Sequence, residues 1–89
     1  MKNKKIKINN KLGLHARAAA KFVRIASGFQ SEIMIHLGSR EVSGKSIMGI
    51  MMLAAGKGTE INIITIGPDE NEAMTSLEDL IINKFGEPE

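Results

Sequence analysis

Lys5-Ile6-Lys7-Ile8-Asn9-Asn10-Lys11-Leu12-Gly13-Leu14-His15-Ala16-Arg17-Ala18-Ala19-Ala20-Lys21-Phe22-Val23 changes its hydrophobic period once, and that change organises the chain. Lys5 to Ile8 alternates with period two, the pattern of a strand with one buried face. Asn9 to Gly13 is polar and punctuated by glycine, so it reads as a loop. Ala16, Ala19, Ala20 and Val23 then recur at helical spacing, with Ser27-Gly28 as the stop. Several alanines on one stripe imply a helix lying close against a sheet.

The rest of the chain repeats this grammar. Ile33, Ile35 and Leu37 alternate with Met34 and His36, a second strand; Gly38-Ser39 turns into a short third strand around Val42. Ile47, Ile50, Met51 and Ala54 give one apolar side of a second helix, and Met48, Met52 and Ala55 give another, before Gly56 to Gly58 breaks the run. Glu60 to Ile66 is the fourth and most apolar strand. Gly67-Pro68-Asp69 turns the chain, and Asp69 with Glu72 has the spacing of a capping box. The last helix carries Ala73, Leu77, Leu80 and Ile81 inward and stops at Gly86 and Pro88. The order β-α-β-β-α-β-α is an α+β arrangement, with helices packed on one face of a small antiparallel sheet. At 89 residues the expectation is a single domain spanning 1–89.

Composition excludes several functions. Without cysteine there is no disulfide scaffold, thiol nucleophile or iron–sulfur site, and two histidines cannot make a three-histidine metal centre. Neither a metal nor a cofactor is expected. A net charge of +2 and the absence of Tyr and Trp argue against nucleic acid, because base-stacking platforms are missing. The longest apolar run, Ile47 to Ala55, is roughly half of a membrane span and is interrupted by Gly49. No apolar segment follows the basic N-terminus to make a secretory signal, so a cytoplasmic protein is expected. Nothing requires more than a monomer.

Two stretches can carry chemistry. In Gly13-Leu14-His15-Ala16-Arg17, His15 sits at the start of a helix, where free N–H groups and the helix dipole favour an anion. The same positive end favours a neutral, nucleophilic imidazole. A phosphoryl group on that ring would meet the backbone N–H groups of Ala16 and Arg17 and the Arg17 guanidinium. In Lys45-Ser46-Ile47-Met48-Gly49-Ile50-Met51, Ser46 is a good N-cap and a position where added phosphate is tolerated. A short helix apolar nearly all round cannot bury every side, so part of Ile47, Met48, Met51 and Met52 should be exposed as an adaptable docking surface. Gly44-Lys45-Ser46 is not a P-loop, because Ser39 stands where that motif needs glycine. Nor is Ser46 an acyl-carrier serine, since lysine rather than aspartate precedes it. His36, on the outer face of the second strand, is given no role.

GLHARAA and KSIMGIM, thirty residues apart in a chain of this length and element order, together resemble the HPr family. These are histidine-containing phosphocarriers of the bacterial phosphoenolpyruvate-dependent sugar phosphotransferase system. The resemblance implies an open-faced β-sandwich, a four-stranded antiparallel sheet with three helices on one face. It implies that His15 Nδ1 accepts a phosphoryl group from phosphorylated enzyme I and passes it to enzyme IIA components, without independent turnover. Arg17 matches the arginine that supports the phosphoryl group. Ser46 matches the serine phosphorylated by HPr kinase/phosphorylase, and Ile47, Met48 and Met51 match the surface that docks enzyme I and IIA partners. The chain departs at Ala18, where the family more often has proline. Gly28-Phe29 and the alanine-rich first helix also resemble the nitrogen-related paralogue, which uses the same histidine for regulation. An alternative is a regulatory protein that docks transcriptional regulators through the Ser46 surface; such relatives lack the active histidine.

Overall fold

The computed structural model describes residues 1–89. Four strands, β1 (Lys2–Lys7), β2 (Glu32–Leu37), β3 (Arg40–Ser43) and β4 (Glu60–Ile66), form one antiparallel sheet in the order β1-β4-β2-β3. Helices α1 (Ala16–Ala26), α2 (Ile47–Met52) and α3 (Glu70–Ile82) cover one face, and a 3-10 turn, Lys84–Gly86, follows α3. The most apolar strand of the sequence, β4, is central, paired with β1 on one side and β2 on the other.

Period-two patterning sets the register. Ile6 lies opposite Ile61, and Ile35 opposite Ile63, so the branched side chains of three strands meet on the helix side. The opposite face carries the row Lys5, Asn62, His36 and Glu41, and His36 Nε2 lies 2.8 Å from Glu41 Oε2. The first strand starts earlier than alternation suggests, at Lys2, because edge pairing with β4 holds polar residues in the ladder. Ile8 extends the pairing past β1: its N–H donates to the Thr59 carbonyl and its carbonyl accepts from Gly58 N–H.

The buried side of α1 is Ala18, Ala19, Phe22 and Ala26, all fully enclosed. Ala16 is exposed and Ala20 and Val23 are only half-buried. The stripe is thus rotated from the expected one, because Phe22, the one aromatic residue on the helix, is fully buried. On α3, Ala73, Met74, Leu77 and Ile81 are buried and Leu80 is half-buried.

The capping box expected from Asp69 and Glu72 does not form. Asp69 occupies the N-cap position of α3 without a capping bond. Its carboxylate instead accepts from Ser31 Oγ at 2.5 Å and from the backbone N–H groups of Ser31 and Gln30, each at 2.9 Å. Gly67 makes this possible: a Cβ there would lie 2.7 Å from Ser31 Cα, so the turn before α3 packs directly on the lead-in to β2. Three donors outweigh one capping bond. Glu72 stays in solvent, and Glu70 takes over locally, accepting from Gly67 N–H at 3.1 Å and pairing with the N-terminal amine at 2.7 Å.

The Ser31 hydroxyl, then the Gln30 N–H, hold the Asp69 carboxyl below the ordinary carboxylate range. A carboxyl with a depressed folded-state pKa stabilises the fold above its unfolded pKa, and that contribution is lost as pH falls through the folded one. Asp69→Asn is therefore expected to lower the urea midpoint at pH 7 and to lose less stability than the parent between pH 5 and pH 2. Equal losses in the two proteins would show that this bond network carries no acid dependence.

Candidate functional site

His15 is the N-cap residue of α1, in extended conformation (φ −77°, ψ 178°), and its side chain makes no capping bond. The first main-chain bond of the helix runs from Ala19 N–H to the His15 carbonyl at 2.8 Å. The N–H groups of Ala16, Arg17 and Ala18 consequently have no partner within the chain. They are the orphan donors of a helix start, at its positive end. Arg17 is exposed and takes part in no ion pair of the chain. It lies with His15, Lys11 and Leu12 around an open cleft of about 400 Å³.

What aims the histidine is the loop before it. Gly13 has φ +67°, in the left-handed region, and a Cβ there would come within 2.5 Å of the Ala55 carbonyl and 2.7 Å of Gly56 Cα. Leu14 N–H donates to the same Ala55 carbonyl at 2.9 Å. The loop carrying His15 is thus pressed onto the segment that follows α2.

One ring nitrogen is occupied and the other is free. His15 Nε2 lies 2.5 Å from Glu87 Oε2, while Nδ1 has no hydrogen bond within the chain. Glu87 is itself held by Asn10, whose Nδ2 donates to Glu87 Oε1 at 3.0 Å and to the Gly13 carbonyl at 2.9 Å. Burial alone would raise the Glu87 carboxyl. The hydrogen bonds of Asn10 and His15, with the charges of His15 and Lys21, outweigh it and keep the group below the ordinary carboxylate range.

Neither Asn10 nor Glu87 was legible as part of the site. Asn10 reads as one polar loop residue among several, and Glu87 as one acid in a polar tail. Phe85 was the available signal: an aromatic beyond the last helix that the fold buries completely.

Around α2 the structure places the remaining candidates as expected. Ser46 is the N-cap, and its Oγ accepts from Gly49 N–H at 3.0 Å. Only Ile50 of the helix is buried, leaving Ile47 and Met51 about 40% exposed and Met48 and Met52 70% exposed. Arg40, unremarked in the sequence, pins the far end of the helix by donating to the carbonyls of Met52 (3.0 Å) and Leu53 (3.2 Å).

The geometry invites comparison with known proteins. The family model described as "PTS HPr component phosphorylation site" matches residues 2–83. Phosphocarrier protein HPr of Neisseria meningitidis is 56% identical over 89 residues, covering all of both chains. Its counterpart from Cupriavidus necator is 55% identical over 82 residues, or 92% of each chain. The crystal structure of HPr-C-His from Thermoanaerobacter tengcongensis superposes with a TM-score of 0.96 at 48% identity, covering 100% of both chains. The chain belongs to the HPr family of the phosphotransferase system. Its relatives there are phosphocarrier proteins.

An alanine at Gly13 would hold an L-residue in the left-handed region, at about 1–2 kcal/mol, and drive its Cβ into main chain that cannot swing aside. Gly13→Ala should lower stability by at least about that amount in denaturant unfolding and shift the His15 ring resonances. An unchanged midpoint would mean that the loop can re-route.

Proposed function

We propose that this protein accepts a phosphoryl group on His15 Nδ1 from phosphorylated enzyme I and donates it to an enzyme IIA component. The observation that carries this reading is the free Nδ1 at the start of α1, beside unpaired N–H groups and an unpaired arginine. The Nδ1 lone pair forms a new bond to phosphorus while the bond from phosphorus to the donor breaks, its electron pair leaving with the donor. No base is needed, because the attacking nitrogen carries no proton. The phosphoryl oxygens then lie within reach of the helix N–H groups and Arg17, whose fork suits two oxygens at once. The protein supplies orientation and charge, the partner supplies the rest of the active site, and there is no turnover on a small substrate.

The exposed side of α2 supports a docking role for Ile47, Met48 and Met51. The patch is apolar, adaptable and joined to the His15 loop through Ala55 and Gly56. Phosphorylation of Ser46 by a kinase of the HPr kinase/phosphorylase type would place about −1.5 to −2 charges at the edge of that patch. The added charge favours the helix start yet must be desolvated when a partner docks. Both activities belong to the cytosol.

Incubation with phosphoenolpyruvate and enzyme I should add one acid-labile phosphoryl group to the parent and none to His15→Ala, with the fold retained. Labelling of His15→Ala at the parent rate would refute the acceptor assignment. Ser46→Asp should weaken enzyme I binding about tenfold, the factor that ~1.4 kcal/mol of interface desolvation produces. Unchanged affinity would remove Ser46 as a control point.

A further inference from the structure

We propose that Glu87, oriented by Asn10, is a positioning residue that locks the His15 ring in the tautomer whose Nδ1 can attack. The inference rests on the phosphocarrier reading above and deepens it.

The tail that delivers Glu87 is anchored, not loose. Phe85 is fully buried although Lys84 and Phe85 both have left-handed backbone (φ +56° and +57°), at about 1–2 kcal/mol each. Burying a phenylalanine returns about 1.5–3 kcal/mol, which helps hold the strained turn in place. Lys21 Nζ donates to the Phe85 carbonyl at 2.6 Å, and Lys11 N–H donates to the Glu89 carbonyl at 2.8 Å. Glu87 is therefore fastened on both sides and set against the ring from the edge opposite the attacking nitrogen.

Donor and acceptor logic then fixes every proton. Asn10 is fully buried, and its amide faces two acceptors, the Gly13 carbonyl and Glu87 Oε1. Only the NH2 can face two acceptors, even though this leaves Oδ1 without a partner. An ionised carboxylate accepts and cannot donate, so at 2.5 Å from Glu87 Oε2 the ring must present Nε2–H. In a neutral imidazole the other nitrogen is then bare, and Nδ1 is the nucleophile. The depressed Glu87 pKa keeps this acceptor ionised at neutral pH. When the P–N bond forms, the ring gains positive charge beside the carboxylate and the Nε2 proton stays where it is. The charges that bear most on Glu87 are those of His15 and Lys21, and Lys11, Arg17 and Glu89 line the same cleft.

This arrangement reverses the usual order of mutational severity. In Glu87→Gln the amide oxygen stays with the Asn10 donor, so the amide NH2 turns to the ring and pairs with a bare Nε2. The proton moves to Nδ1, and the nucleophile is lost. Glu87→Ala removes the partner altogether and lets water populate both tautomers. The nearly isosteric change should therefore be the more damaging one.

Two readouts test this in the full chain. Ring 15N shifts of His15 at pH 8 should report Nε2–H in the parent, Nδ1–H in Glu87→Gln and a mixture in Glu87→Ala. The rate of phosphoryl acceptance from enzyme I should fall about 10- to 100-fold in Glu87→Gln, the loss seen when a carboxylate that orients a metal-bound imidazole is removed. It should fall less in Glu87→Ala, and Glu87→Asp should restore the parent tautomer. A parent tautomer in Glu87→Gln, or Glu87→Ala being the slower of the two, would overturn the proposal and leave Glu87 a structural tie. If the parent accepts no phosphoryl group, the phosphocarrier reading fails, while the ring shifts still decide the role of Glu87.

Discussion

Close packing of α1 against α2 and α3 is the constraint from which the site follows. Ala18, Ala19, Phe22 and Ala26 are fully buried, and the helix packs against α2, α3 and the turn after α3 within the core that also holds Ile33, Ile35, Ile61 and Ile63. A helix seated so tightly has little freedom to rotate or slide. Its first turn, with three unpaired N–H groups and His15 at the cap, is therefore fixed relative to everything else on that face. The positive helix end, the ring and Arg17 converge because the helix has nowhere else to go.

The segment after α2 is tied to that end by backbone, not by long side chains. Gly13 meets Ala55 and Gly56 at distances that exclude a Cβ, and Leu14 bonds to Ala55. Ala55 and Gly56 lie three and four residues past the end of α2, so the helix bearing the exposed methionines and the loop bearing His15 share one junction. Arg40 and Ser46 close the two ends of α2, which at six residues is too short to hold itself together. The exposed Met48 and Met51 therefore sit on a helix whose position is registered to His15.

Most of this was legible from residue patterns. The strands β2 and β4 alternate cleanly because one face is buried, and His15, Arg17 and Ser46 stand where glycine, helix-start and capping signals put them. What failed was local competition. Asp69 and Glu72 have the spacing of a capping box, but spacing cannot reveal that Gly67 brings Ser31 and Gln30 close enough to take the carboxylate away. The buried stripe on α1 departs from its apparent spacing for a similar reason: a run of alanines has no strong side, and Phe22 decides the rotation. Glu87 and Asn10 lie 77 residues apart and meet only through the tertiary fold. No periodicity reaches across that distance.

Ala18 alters the set of donors at the helix start. A proline at this third helical position would remove one N–H and limit the freedom of the unfolded chain, an effect of about 0.4–1 kcal/mol. Alanine gives up that rigidity and keeps the donor, so Ala16, Arg17 and Ala18 all present N–H groups with no partner in the chain. The methyl group of Ala18 is fully buried in the core. The ring of His15 is held from its other edge by Glu87, independently of residue 18. The balance thus shifts from a stiffer helix start to one with an additional donor, and the two groups that would handle phosphate, His15 and Arg17, remain at the start of α1.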